Sequence, residues 1–88
     1  MKIEFLKKFS KDIDKISRKK DRELILGAIN LIKESDSLRD FSNIKKLTGF
    51  SNAYRLRVGN IRIGVFWENN VVQFARVAHR KDIYKIFP

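Results

Sequence analysis

The sequence predicts an α+β fold in which a short N-terminal strand and an antiparallel helix hairpin precede an antiparallel meander sheet of three to four strands. Apolar residues recur at helical spacing in the first half of the chain, and they alternate with polar residues at period two in the second half. Two short polar turns divide that second half into long strands. A chain of 88 residues is long enough for one small core, so we expect a single domain over residues 1–88.

The N-terminal half contains the predicted helices. Lys2–Phe5 alternates and predicts a short strand. A helix follows, with lysines and aspartates on its polar face and an apolar face formed by Leu6, Phe9, Ile13 and Ile16. After a polar link over residues 17–20, a second helix begins near Asp21 and ends near Lys33. Two sequential helices joined by a short link favour an antiparallel hairpin.

The C-terminal half contains the predicted sheet. Its strands are expected over residues 44–47, 53–58, 61–68 and 71–78. Gly59-Asn60 and Asn69-Asn70 are typical of two-residue hairpin turns. The tail from residue 79 onward is predicted to be a short helix or an extended arm. We expect the apolar face of the sheet to pack on the helix hairpin and the other face to remain open.

Composition and charge limit the function. The chain has no Cys and one His, so disulfides and the usual zinc patterns are excluded, and we expect neither a metal nor a cofactor. No apolar run approaches the ~20 residues of a membrane span, and no signal peptide is recognisable, so a soluble, cytoplasmic protein without membrane contact is predicted. The net charge is +10, of which residues 44–88 carry +7. Such a field attracts polyanions, nucleic acid above all.

Arginines concentrate on one face of the predicted β-hairpin. If Gly59-Asn60 forms the turn, Arg57 lies opposite Arg62, and Arg55 lies opposite Gly64. Two guanidinium groups placed opposite each other repel, and no carboxylate lies close enough in sequence to neutralise them. Because a guanidinium presents a planar fork suited to phosphate, we predict that these arginines hold an anionic ligand.

Several other residues are candidates with more than one interpretation. Lys45 and Lys46 either extend the positive surface or keep an edge strand soluble. Simple alternation would point Arg76 inward, unless a bulge or the sheet rim intervenes, and we assign it no role. His79 offers an imidazole, a common proton-transfer group, and Tyr84 offers a hydroxyl and a stacking ring, although both residue types also serve structural roles.

Two stretches resemble the RelE/ParE superfamily of type II toxin–antitoxin toxins, and most of all its RelE-type, mRNA-cleaving branch. They are Tyr-Arg-Leu-Arg-Val-Gly-Asn-Ile-Arg-Ile at residues 54–63 and Val-Ala-His-Arg-Lys-Asp-Ile-Tyr at residues 77–84. The resemblance covers nearly the whole chain. It implies a metal-free endoribonuclease that cuts mRNA in the ribosomal A site. It also implies an acidic antitoxin partner, through which the pair contacts operator DNA.

The resemblance also suggests roles for individual residues. The family's basic strand residues match Arg55, Arg57 and Arg62, and its later arginine and terminal tyrosine match Arg80 and Tyr84. We expect Arg57 and Arg62 to stabilise charge on the reacting phosphorus, with the phosphate-binding positions at Lys45, Lys46, Arg55 and Arg80. His79 and Tyr84 are the candidates for proton transfer.

The general base stays open, because some relatives use a central Glu or His that this sheet lacks. A ParE-like inhibitor of DNA gyrase and a non-catalytic basic nucleic-acid-binding relative remain the alternatives, since a shared fold does not decide activity.

Overall fold

A computed structural model describes all 88 residues and arranges them as a five-stranded sheet with three helices. The elements in chain order are β1 (Lys2–Phe5), α1 (Lys7–Asp14), α2 (Lys19–Glu34), a 3-10 turn (Leu38–Asp40), β2 (Ile44–Lys46), β3 (Ala53–Val58), β4 (Ile61–Glu68), β5 (Val71–His79) and α3 (Ile83–Ile86). The predicted α+β fold is confirmed. A membrane-spanning helix is absent, since even the longest helix, α2, has only 16 residues.

The N-terminal strand joins the predicted meander, so that all five strands form one sheet. Its order is β1-β5-β4-β3-β2, with β1 running parallel to β5 and the other neighbours antiparallel. The helix hairpin carries the chain over the sheet between β1 and the meander, so the N-terminal strand becomes a parallel edge. Sequence alternation identified β1 but contained no information about its partner.

The main core lies between the helix hairpin and one face of the sheet. Phe9 of α1 and Ile25 and Ile32 of α2 are buried against apolar residues of β3, β4 and β5. The members of the core on the sheet are Leu56, Ile61, Ile63, Val65, Val72, Phe74 and Val77. This packing matches the predicted alternation of the strands, because every second residue faces the helices.

A β-bulge interrupts that alternation in β5. Val65 pairs with Phe74, whereas Gly64 pairs with Arg76, so Ala75 is the extra residue. The bulge brings Arg76 to α1, where Asp12 binds its guanidinium. The expectation that the aspartates of the first helix face solvent is therefore wrong for Asp12, which is only 6% exposed.

The second face of the sheet does not remain open as predicted. The tail folds back over it as α3, and Ile83 and Phe87 are buried there against Ala53 and Ala75. The tail carries the apolar side chains of Ile83, Ile86 and Phe87. The small side chains of Ala53 and Ala75 beneath them leave room for the Phe87 ring. This smaller core covers the outer face next to the predicted arginine cluster.

Candidate nucleic-acid interface

A cleft of about 250 Å³ lies on the outer face of the sheet beside α3. Its walls are formed by Ser42, Asn43, Ile44, Lys45, Arg55, Arg57, Arg62 and Tyr84. The strand register builds it: Lys45 of β2 lies opposite Arg55 of β3, and Arg57 lies opposite Arg62 of β4. Directly opposed residues share a face of the sheet, so four cations from three neighbouring strands converge on one hollow.

Arg62 is held in place by the turn that precedes it. Its Nη1 donates hydrogen bonds to the carbonyl oxygens of Gly59 and Ile61, at 2.8 and 3.0 Å. Burial and the repulsion of Arg57 lower the pKa of Arg62 below its ordinary value. A guanidinium nevertheless stays charged at any physiological pH. The result is a fixed cation, oriented by backbone carbonyls and not by an acidic side chain.

Asn43 fixes the wall next to Arg57. The backbone N–H of Arg57 donates to the carbonyl of Asn43 at 2.9 Å, and Nδ2 of Asn43 donates to the carbonyl of Arg57 at 2.8 Å. The two bonds extend the β2–β3 pairing by one residue beyond the strand. The sequence does not predict this role of Asn43, because no local pattern indicates which strand such an asparagine meets.

Tyr84 closes the cleft from the side of α3. The guanidinium carbon of Arg55 lies 4.3 Å from the centroid of the Tyr84 ring, a close cation–π contact. The side chain is nevertheless 67% exposed, so much of the ring and its hydroxyl face solvent. Proteins that bind single-stranded nucleic acid commonly place an aromatic ring beside a cationic groove, and the bases stack on that ring.

The cations of the cleft have no acidic partner. The ion pair of the structure joins Arg76 to Asp12, at 2.7 Å, and lies at the junction of α1 and β5. No carboxylate lines the cleft. An uncompensated group of four cations on one face produces a local field that favours a polyanion.

Three predicted site residues lie outside the cleft. His79 is paired with Ile61, so it lies on the helix side of the sheet, where it lines a different cavity with Asp12 and Lys15. Lys46 is paired with Tyr54, whose ring packs on Trp67 on the same helix side. Both positions follow from alternation, because neighbours along a strand point to opposite faces.

Arg80 lies just beyond the end of β5 and is exposed. Its backbone N–H donates to the carbonyl of Asn60 in the β3–β4 turn, at 2.8 Å. Burial and the charge of Arg57 are the larger causes of the lowered pKa of Arg62, and the positive charge of Arg80 adds to them. Arg80 therefore adds to the field of the cleft without lining it.

Comparison with known proteins identifies relatives of the whole chain. The chain is 43% identical over 89 aligned residues to toxin RelE3 of Methanocaldococcus jannaschii, with both proteins covered completely. No protein-family model matches the chain.

Solved structures show the same fold. The chain resembles one in the RelB–RelE antitoxin–toxin complex from Methanococcus jannaschii with a TM-score of 0.80 and 41% identity, covering 97% of this chain and 99% of that one. It resembles one in the archaeal RelE–RelB complex from Pyrococcus horikoshii with a TM-score of 0.70, covering 90% and 93%. At 19% identity, the second likeness shows the fold alone.

Proposed function

The chain belongs to the RelE family of toxins, and from this membership and the geometry of the cationic cleft we propose that it is an endoribonuclease that cleaves mRNA on the ribosome. The observation that supports this most is the opposition of Arg57 and Arg62 beside Tyr84, with no carboxylate in the cleft. If this face were purely structural, neutral side chains or arginines paired with carboxylates would make the sheet more stable, because cations directly opposite each other destabilise it.

The proposed reaction is a transesterification within the RNA. The 2′-hydroxyl of one nucleotide attacks the adjacent phosphorus, the new bond forms a cyclic phosphate, and the bond to the 5′-oxygen breaks. Negative charge accumulates on the phosphoryl oxygens during this exchange. Arg57 and Arg62 are placed to stabilise it, and pre-oriented donors of this kind act mainly on the transition state. Arg55 and Lys45 would hold the neighbouring phosphates, with Arg80 adding to the field.

We assign to Tyr84 the proton that the departing 5′-oxygen gains, which its phenol donates, while the proton of the attacking 2′-hydroxyl passes to solvent water. The 2′-hydroxyl must lose a proton and the 5′-oxygen must gain one, so a titratable group has to lie within hydrogen-bond reach of the reacting atoms. Tyr84 lines the cleft, whereas His79 points to the opposite side of the sheet. The ring of Tyr84 would also stack on a base next to the scissile bond.

An acidic antitoxin is the proposed protein partner. Related toxins have been solved as complexes with RelB, and a net charge of +10 favours an acidic binding protein. We propose that such a partner blocks the cleft, and that the pair contacts operator DNA mainly through the antitoxin. The site of action would be the cytoplasm, where ribosomes and messages meet.

The decisive experiment compares the wild-type protein with Arg62→Ala. Translation reactions programmed with a defined message are sampled, and primer extension maps the cut sites. We expect Arg62→Ala to slow cleavage about 100- to 1,000-fold, the usual effect of removing one transition-state donor. Growth arrest on expression should disappear in parallel.

Arg18→Ala is the matched control. Arg18 is exposed, directly precedes α2 and carries the same charge without lining the cleft. Equal losses in both variants would mean that net charge, and not the cleft, governs activity. Intact messages with wild-type protein, together with inhibition of supercoiling by purified gyrase, would overturn the nuclease proposal in favour of gyrase inhibition.

A further inference from the structure

The position of Tyr84 depends on a helix too short to be stable alone. α3 is a single turn, Ile83–Ile86, and isolated helical segments of this length do not persist in water. No hydrogen bond anchors the Tyr84 hydroxyl to the rest of the protein, and its contact across the cleft is with Arg55. The turn must therefore be fixed by the apolar residues on either side of Tyr84.

Those anchors are Ile83 and Phe87. Ile83 is fully buried and Phe87 is 5% exposed, both in the smaller core on the outer face of the sheet. The ring of Phe87 packs on Phe66 with a centroid distance of 5.2 Å. The backbone N–H of Phe87 also donates to the carbonyl of Ile83 at 3.0 Å, which joins the two anchors.

Gly64 makes the seat for Phe87 possible. A Cβ atom placed at Gly64 would lie 2.4 Å from two atoms of the Phe87 ring and 2.7 Å from a third. Any other residue at this position would force the ring out of its place, because carbon atoms do not approach so closely. Gly64 is also the residue directly opposite Arg55. The seat of the tail and the cation that contacts Tyr84 are therefore neighbours in the sheet.

We propose that Gly64 and Phe87 form a seat that positions Tyr84 against Arg55, and that Phe87 is a positioning residue for the reaction. This inference rests on the function proposed for the cleft. Phe87 itself does not line the cleft. It acts through the backbone of α3, which holds the phenol at the edge of the arginine cluster.

The test uses Phe87→Ala and Gly64→Ala, with Tyr84→Ala as the reference for complete loss of the phenol. Steady-state cleavage is measured over a range of RNA concentrations. We expect both seat variants to lower kcat about 10- to 100-fold, the size of effect that a displacement of about 1 Å produces. KM should change much less, because the arginines of the cleft remain in place.

An NMR measurement follows the position of Tyr84 without reference to activity. In the wild type, the ring of Tyr84 should shift the side-chain protons of Arg55 upfield, and Tyr84→Ala should abolish that shift. Phe87→Ala and Gly64→Ala should reduce it towards the Tyr84→Ala value. If the wild type cleaves nothing, this shift still tests the seat, so failure of the proposed function and failure of the seat are distinguishable.

Two further variants complete the design. Phe50→Ala removes a half-exposed phenylalanine from a loop and should change neither readout. In the double variant Gly64→Ala with Phe87→Ala, the methyl group added at residue 64 no longer meets a ring. The midpoint of unfolding of the double variant should therefore equal that of Phe87→Ala alone. Should Phe87→Ala not fold, Phe87→Leu carries the same comparison. Wild-type kcat in the seat variants, or a lowered kcat with an unchanged Arg55 shift, would overturn the proposal.

Discussion

Asp12 is the one buried charged residue, and replacing it with asparagine tests how the helix hairpin is attached to the sheet. Its carboxylate accepts hydrogen bonds from Nε and Nη2 of Arg76, at 2.7 and 3.0 Å, and from the backbone N–H of Val77, at 3.1 Å. All three donors lie on β5 next to the bulge at Ala75. We expect Asp12→Asn to detach α1 from this point and to leave Arg76 without its counter-charge.

The expected loss of stability follows from the burial of the pair. Removing one partner of a buried ion pair typically costs ~3–5 kcal/mol. The side chain of Arg76 is 21% exposed and can partly rehydrate, and asparagine keeps one acceptor, so we expect about 2–3 kcal/mol. A domain of this size is stable by about 4–13 kcal/mol. The loss corresponds to a fall in Tm of about 10–20 °C.

The pH dependence gives an independent measure of the same interaction. Burial alone would raise the pKa of Asp12, but the hydrogen bonds from Arg76 and Val77 and the charge of Arg76 outweigh it, so the net pKa is lowered. In acid, the carboxylate of Asp12 therefore takes up a proton more readily in the unfolded chain than in the folded protein. The stabilisation is complete above about pH 4, the ordinary pKa of an aspartate, and is lost as the pH falls through the folded-state value.

Urea unfolding at a series of pH values from neutral to strongly acid measures both effects. Wild-type protein should lose more stability in acid than Asp12→Asn, and the two curves should converge there. Asp14→Asn, on an exposed position of the same helix, is the control and should stay within about 0.5 kcal/mol of the wild type. A loss below that value for Asp12→Asn at neutral pH would refute the reasoning, as would identical acid slopes.

Two shorter predictions concern the core and the cleft. Phe74→Ala should lower the free energy of unfolding by about 3–5 kcal/mol, because the ring of Phe74 is fully buried. Leu26→Ser, at a position 58% exposed, should change the free energy of unfolding by less than about 0.5 kcal/mol. Thermal melts followed by circular dichroism measure both effects. Binding of a short single-stranded RNA should weaken with salt, with a slope of log K against log salt near −3 if the four cations of the cleft each neutralise one phosphate. Fluorescence anisotropy should show that Arg57→Ala reduces the magnitude of this slope by about 0.7, and that Arg18→Ala leaves it unchanged.

The arginine cluster was predictable because its geometry is local. The turn Gly59-Asn60 fixes the register of β3 and β4, and this register alone places Arg57 opposite Arg62. Lys45 and Lys46 are different, since only their pairing with β3 decides which of the two joins Arg55 on the outer face. The sequence predicts both lysines as phosphate-binding residues, whereas the observed register places Lys45 opposite Arg55 and Lys46 opposite Tyr54.

The ion pair and the covering tail were not predictable in the same way. The bulge at Ala75 changes the side to which Arg76 points, and its position depends on how β5 packs against both neighbours and α1. In the sequence, Asp12 is one of several polar residues on a regular polar helix face. Only the bulge places its hydrogen-bond donors, Arg76 and the backbone N–H of Val77, next to it. The strongest available signal was Gly64, a glycine within an otherwise apolar and polar alternating strand, which is typical of a close approach by another chain segment.

The fold separates the group that stabilises it from the groups proposed to act. Asp12 neutralises Arg76 at the junction of α1 and β5, and its carboxylate accepts three hydrogen bonds, two from Arg76 and one from the backbone N–H of Val77. The cations of the cleft repel one another, and that repulsion is part of the reason why the pKa of Arg62 is lowered. Such a cluster contributes no stability to the free protein, so its arrangement has to be maintained by neutral contacts. Backbone carbonyls orient Arg62, and the packing of Phe87 on Gly64 positions the tail beside Arg55. An anionic ligand would remove the repulsion, and this is why a basic surface without internal acids favours binding a phosphate backbone over a purely structural role.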